Sequence, residues 1–124
     1  MSTIIPFHGT RYDTAVVGAV KQVVAPPYDI IDAAGQKSLH DRHSQNIIRL
    51  ELGLNQPDDG PTHNRYTRAA STLRDWLKSG ALKRDAEPAL YYHTIEYTAP
   101  YAAPGSPTKI LKGVLATVKL ETLD

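Results

Sequence analysis

Punctuation by proline and glycine limits this chain more than any other feature, with nine Pro and eight Gly spread through 124 residues. Proline fixes φ and lacks a backbone donor, and glycine weakens helix and strand interiors, so most elements must be short. Ala25-Pro26-Pro27-Tyr28-Asp29 is the sharpest case. Its two prolines remove two donors and set two φ angles, so it is a stiff loop with exposed backbone, neither a central strand nor a helix interior. No segment repeats at a fixed period, which sets a solenoid aside.

Between these breaks the apolar spacing predicts the elements. A helix from about His63 to Ser79 has Thr62 as its expected N-cap and Gly80 at its end. Tyr66, Ala69, Ala70, Leu73, Trp76 and Leu77 follow helical spacing and are expected to face the core, with Arg65, Arg68, Arg74, Asp75 and Lys78 opposite. Asp32 is placed to cap a second, largely solvated helix from about Ala33 to His43, anchored by Leu39. Asn46 to Leu52 alternates with period two and is read as a strand burying Ile48, Leu50 and Leu52. Ile4 to Phe7 is expected as a short strand, and Ala15 to Val24 as a short helix running into a strand. Asn55 to Pro61 is a polar loop. Leu90 to Thr98 and Ile110 to Glu121 form an antiparallel pair across the linker Ala99 to Pro107.

The expected fold class is α+β, a small mixed or antiparallel sheet packed by one long amphipathic helix and one or two shorter helices. Its length fits a single domain over residues 1–124. The expected core is Leu73, Trp76, Leu77, Ile48, Leu50, Ile95, Val114 and Val118.

Charge and composition then remove several functions. Lys+Arg of 14 against Asp+Glu of 13 leaves 14 − 13 = +1, too little for binding nucleic acid through a strong overall positive field. With no Cys, disulfides, thiolate zinc sites and cysteine nucleophiles are excluded. No apolar run approaches the roughly 20 residues that span a bilayer. The start Met1 to Pro6 lacks the basic and apolar regions of a signal peptide, so no membrane partner and a cytoplasmic location are expected. Walker, dinucleotide, HExxH and GxSxG motifs are absent from the sequence.

Four segments, Pro6-Phe7-His8-Gly9-Thr10-Arg11-Tyr12, Val23 to Ile31 (VVAPPYDII), Asn46 to Gly53 (NIIRLELG) and Asn64 to Trp76 (NRYTRAASTLRDW), together resemble a bacterial family catalogued as domain of unknown function 1015. Members of that family are several times longer and carry a His-Glu-Arg-Thr-like string after the last strand pattern seen here. The resemblance therefore implies that this is the amino-terminal part of a longer protein. It also implies a remote relation to the ParB and sulfiredoxin-like superfamily, some of whose members use nucleotides and include free-serine kinases. ATP or ADP with magnesium is then the candidate cofactor, and a nucleotide with a small-molecule substrate the candidate partners.

Against that background Asp29, held by the proline loop, is the candidate catalytic residue for phosphoryl transfer, with Tyr28 beside it as a binding residue. The rival reading makes Asp29 a turn residue and Tyr28 a packing residue. His8, Arg11 and Tyr12 flank a glycine turn through which backbone N–H groups approach a ligand, and Arg11 suits bidentate phosphate contact. An ordinary surface salt bridge explains Arg11 as well. Arg65, Arg68 and Arg74 form a basic stripe on the long helix, with Arg42 and Arg49 elsewhere in the chain; Arg65 and Arg68 are the candidate phosphate contacts, set against a merely solvated face. His40 and His43 lack a third metal ligand at a convincing spacing, so no metal is expected. Two readings outside catalysis stand beside the kinase: an interaction module that self-associates through an uncovered sheet edge, and, less favoured, a ParB-like nucleic-acid binder.

Overall fold

The computed structural model describes residues 3–99 and 101–120. The chain forms two compact units, Thr10–Arg84 and Met1–Gly9 with Asp85–Asp124. Both mix short helices or turns with antiparallel pairs, so the fold class is α+β with one long helix.

The Thr10–Arg84 unit opens with β2 (Thr10–Tyr12), antiparallel to β3 (Leu82–Arg84), with Tyr12 opposite Leu82. Asp13 then caps α1 (Thr14–Val17), accepting from the Ala15 N–H at 2.9 Å and pairing with Lys83. Gly18, at φ 73°, ends that single turn, and a 3-10 turn follows over Val20–Gln22. The strand expected towards Val24 does not form. Instead the Val23 carbonyl accepts from the Ile47 N–H at 2.7 Å, and the Val24 carbonyl accepts from the Asn46 side chain at 3.1 Å.

Asn46 explains the largest correction. Its side chain is fully buried; Nδ2 donates to the carbonyls of Gln22 (2.8 Å) and Val24, while Oδ1 accepts from the Ile48 N–H at 3.0 Å. That last bond satisfies an N–H that a starting helix leaves free. Asn46 to Leu52 therefore contains α3 (Ile48–Glu51) and not a strand. Its apolar residues fit both periods, and the buried amide decides between them. Ile48 is fully buried and Leu50 partly so.

The helix α2 (Ala33–Arg42) starts as expected, with the Asp32 carboxylate accepting from the Gly35 N–H at 2.7 Å. The long helix α4 (Arg65–Ser79) starts two residues later than expected. Asn64 and Thr67 form a reciprocal capping box, so Asn64 and not Thr62 is the cap. Gly80 closes it in the left-handed conformation, φ 79°.

Trp76 is buried as expected, 6% exposed, in a core with Val17, Val23, Ala81 and Leu82. The inward face of α4 is rotated from the expected one. Arg65, Arg68, Ala69 and Thr72 are half-buried, while Tyr66, Ala70, Leu73 and Leu77 are exposed. Arg68 turns inward because Asp59 and the Leu54 carbonyl meet it there, and long arginine stems cover apolar surface.

In the other unit β1 (Ile4–Ile5) pairs antiparallel with β6 (Thr117–Val118), and Phe7 and Ala89 exchange two backbone bonds of 3.1 and 3.0 Å. The expected hairpin forms from β4 (Tyr91–Tyr97) and β5 (Lys109–Leu115), with Tyr91 opposite Leu115 and Tyr97 opposite Lys109. The end of the expected last strand, from Glu121, lies outside the described residues. Gly9 is buried, and a Cβ there would come within 2.5 Å of the Tyr91 ring, so this approach requires glycine. Ile95, Val114 and Val118, expected in the core, are each about half exposed or more. The hairpin is two strands wide, and no second layer covers either face among the described residues of this unit. No described helix is long and apolar enough to cross a membrane.

Asn46→Ala removes three hydrogen bonds at a buried position and strands their partners, so it is expected to destabilise the chain by about 2–4 kcal/mol. Urea unfolding followed by Trp76 fluorescence measures this.

Candidate anion-binding site

The Thr10–Arg84 unit contains a partly enclosed cleft of about 160 Å³ lined by α2, α3, α4 and the loop after α3. His40 comes from α2, Arg49 from α3, Gln56 from the loop, and Arg65, Arg68 and Thr72 from α4. The α4 residues share one face because they are three and seven apart. Arg49 is placed by the first turn of α3, whose Ile48 N–H donates to Asn46 Oδ1.

Arg49 Nη2 donates to the His40 backbone carbonyl at 2.7 Å, which fixes the guanidinium against α2. Its Nε is buried and has no hydrogen-bond partner. Buried donors are nearly always paired, and an orphan costs about 1–3 kcal/mol, more when charged. Beside it, His40 is 8% exposed, with its ring Nε2 at 3.4 Å from the Leu52 carbonyl. Burial, and secondarily Arg49, hold the imidazole pKa below its usual value, against opposing effects of the Leu52 carbonyl and Asp41. The folded protein therefore keeps His40 neutral to lower pH than an unfolded chain does.

Arg65 lies over the Tyr66 ring at 4.8 Å and donates from Nη2 to its hydroxyl at 2.7 Å. Arg68 is held by a two-pronged pair with Asp59, at 2.5 and 3.0 Å, and donates to the Leu54 carbonyl at 2.9 Å. Both partners of that pair are only about one-fifth exposed. The Arg68 guanidinium holds the Asp59 carboxyl down at about 2. Arg49, Arg65 and Arg68 thus line one cleft, with the Arg68 charge already paired to Asp59. Planar forks of this kind match the oxygens of phosphate or carboxylate.

The sequence-predicted residues fall in several places. Arg65 and Arg68 line the cleft. Tyr12 does not: its hydroxyl donates to the Gln45 carbonyl at 2.7 Å and its ring packs on Trp76 at 6.0 Å. Burial, with the Glu51 charge second, pushes that phenol up to about 12. Arg11 is exposed on β2 opposite Lys83. Tyr28, 66% exposed, and Asp29 stand on an exposed 3-10 turn, Tyr28–Ile30, that follows the extended Pro27. His8 belongs to the other unit, with Nδ1 at 2.9 Å from the Asp85 carbonyl. His40 and His43 diverge, since His43 ends α2 and its Nδ1 accepts from the Gln45 N–H. Among the described residues no group of three metal-ligating side chains comes together.

Sequence reasoning grouped Arg49 with the α4 arginines as basic residues but missed His40, Gln56 and Thr72 as members of one site. The one available signal was the i, i+3, i+7 spacing of Arg65, Arg68 and Thr72.

Fold and cleft together define a small α+β protein with an arginine-lined cleft. The family described as "Protein of unknown function (DUF1015)" matches residues 4–124, and the chain belongs to that family. No curated protein and no solved structure matches it.

The Asp59 carboxyl is expected to titrate near 2 by NMR and to rise toward 3.8 in Arg68→Ala. Because its folded pKa is depressed, the pair contributes its full stability above pH 4 or so, and that contribution is lost as pH falls through about 2.

Proposed function

We propose that the Thr10–Arg84 unit recognises a phosphate-bearing small molecule in the cleft between α2, α3 and α4. The observation that carries this reading is the convergence of Arg49, Arg65, Arg68 and His40 on one cleft. Guanidinium forks gathered around one cleft suit the oxygens of a phosphate. The family resemblance, with its remote ParB and sulfiredoxin-like relation, extends the reading to part of a nucleotide-dependent kinase acting on a small hydroxyl compound such as serine. Such an enzyme must hold a phosphorylated small molecule on one side of the transfer. Asp29 is the residue this fuller reading assigns to catalysis, and His8, Arg11, Tyr12 and Tyr28 are its further binding candidates.

The residues around the cleft do not fit a magnesium nucleotide. Magnesium is held by carboxylates and phosphate oxygens, whereas the side chains facing the cleft are guanidinium, imidazole, amide and hydroxyl groups, and nearby Asp59 is already paired with Arg68. No step is therefore derived through that cofactor.

A second reading rests on the hairpin. Tyr92, Ile110 and Val114 on one face, and Ile95, Leu111 and Leu115 on the other, are all about half exposed or more. Isolated two-stranded hairpins are marginal in water, and apolar faces with free edges favour association. On this reading the unit self-associates with a second copy. Sedimentation at rising concentration then shows a growing dimer fraction that Val114→Lys reduces, whereas a concentration-independent monomer contradicts it.

Calorimetric titration of the 124-residue chain with inorganic phosphate tests the first reading. Saturable binding is expected, weakened roughly 10-fold or more in Arg49→Gln, the loss of one charge-assisted contact. Exposed Arg74→Gln is expected to leave it unchanged. Equal binding by all three proteins, or none by any, contradicts the proposal.

A further inference from the structure

Resting on the phosphate reading of the cleft, we infer that the cleft takes up its anion together with a proton on His40, so that anion and proton bind cooperatively. The position of His40 carries the inference. It lies in the last turn of α2 and is 8% exposed. Its ring Nε2 is 3.4 Å from the Leu52 carbonyl, and the two residues that follow that carbonyl, Gly53 and Leu54, line the cleft together with His40 itself. The imidazole therefore stands at the cleft wall, largely shielded from water.

Two contacts fix the surroundings of the ring without depending on its proton. Arg49 Nη2 donates to the His40 backbone carbonyl at 2.7 Å, which ties the end of α2 to α3. Gln36, one turn earlier on α2, donates from Nε2 to the Leu52 carbonyl at 3.0 Å, so that carbonyl keeps a good donor and the imidazole contributes only a long contact. The ring can change protonation without stranding its neighbour.

Positive charge prevails around it. Arg49 comes from α3, and Arg65 and Arg68 from α4, while Asp59 in the loop after α3 is paired to Arg68 and Asp41 on α2 is paired to Lys37. Without an anion, burial and then Arg49 keep the imidazole neutral to lower pH than usual. An anion among these groups reverses the balance, because it favours the imidazolium as it favours the guanidinium groups. Linkage is reciprocal: the factor by which the proton tightens the anion is the factor by which the anion tightens the proton. Anion affinity is then lowest with His40 neutral and rises as pH falls through the His40 pKa. Asp59, held down at about 2, and Asp41, also lowered, keep their charges over that range. The other histidines of this unit are His43, whose Nδ1 accepts from the Gln45 N–H, and His63, whose charge reaches Asp59.

Two readouts on the 124-residue chain test the inference. The His40 ring resonance, assigned through its backbone, is followed by NMR from about pH 8 to 5 without and with saturating inorganic phosphate. Bound phosphate is expected to raise the His40 pKa. Calorimetric titration with sulfate, a dianion throughout this range, is expected to show an affinity about 5-fold or more higher at the acid end. His40→Gln removes that dependence and His63→Gln keeps it, with the near-ultraviolet signal of Trp76 reporting that each protein is folded at both ends. Should His40→Gln fail to fold, the ring pKa of the wild type decides alone. If either anion binds while the His40 pKa stays fixed, or the pH dependence survives His40→Gln and disappears in His63→Gln, the inference falls and the phosphate reading stands. If neither anion binds the folded wild type, the phosphate reading falls with it.

Discussion

The buried amide of Asn46 is the contact on which the Thr10–Arg84 unit depends. It joins two segments that have no ladder between them, holding the Gln22 and Val24 carbonyls with one end and starting α3 with the other. A buried carbonyl without a donor is costly, and here one side chain supplies two. The Ile47 N–H adds a backbone bond to Val23, so the segment before the Pro-Pro loop is fastened at three successive carbonyl positions. Because α3 begins there, Ile48 enters the interior and Arg49 reaches the His40 carbonyl. The geometry of the cleft thus follows from a hydrogen-bonding requirement several residues away.

The same dependence explains why α4 turns Arg68 inward. A helix carrying Leu73 and Leu77 ordinarily buries them. Here Asp59 and the Leu54 carbonyl offer Arg68 a charge-assisted pair that is only about one-fifth exposed. Trp76, packed with Val17, Val23, Ala81 and Leu82, satisfies the apolar requirement alone. The two units also differ in character. One has a real core and a cleft, while the β4 and β5 hairpin has cross-strand bonds, the Phe7 and Tyr91 ring contact and much exposed apolar surface.

Local chemistry made several features legible in the sequence. The Asp32 cap, the Gly80 stop, the burial of Trp76, the stiff Pro-Pro loop and the β4 and β5 pairing all follow from residue types within a few positions of each other. What was not legible depended on partners far along the chain. Asn46 to Leu52 satisfies strand and helix periodicities alike, and only the carbonyls of Gln22 and Val24 decide the outcome. Likewise Arg68 looks solvated in a helical projection until Asp59 and Leu54 are placed beside it. For the site, Arg65 and Arg68 were recognisable as phosphate contacts and Arg49 as a further basic residue, but the strand reading of its segment could not place it beside them. Asp29 stood out because its loop is rigid, although the structure leaves that turn exposed.

The most direct test of the central claim is an NMR titration that watches the Arg49 Nε–H resonance, assigned by its loss in Arg49→Lys, as inorganic phosphate is added. The account predicts a saturable shift of that resonance, accompanied by the His40 ring and the Arg65 and Arg68 side chains. An Arg49 Nε–H that stays fixed while phosphate binds elsewhere, or throughout the whole titration, would contradict it.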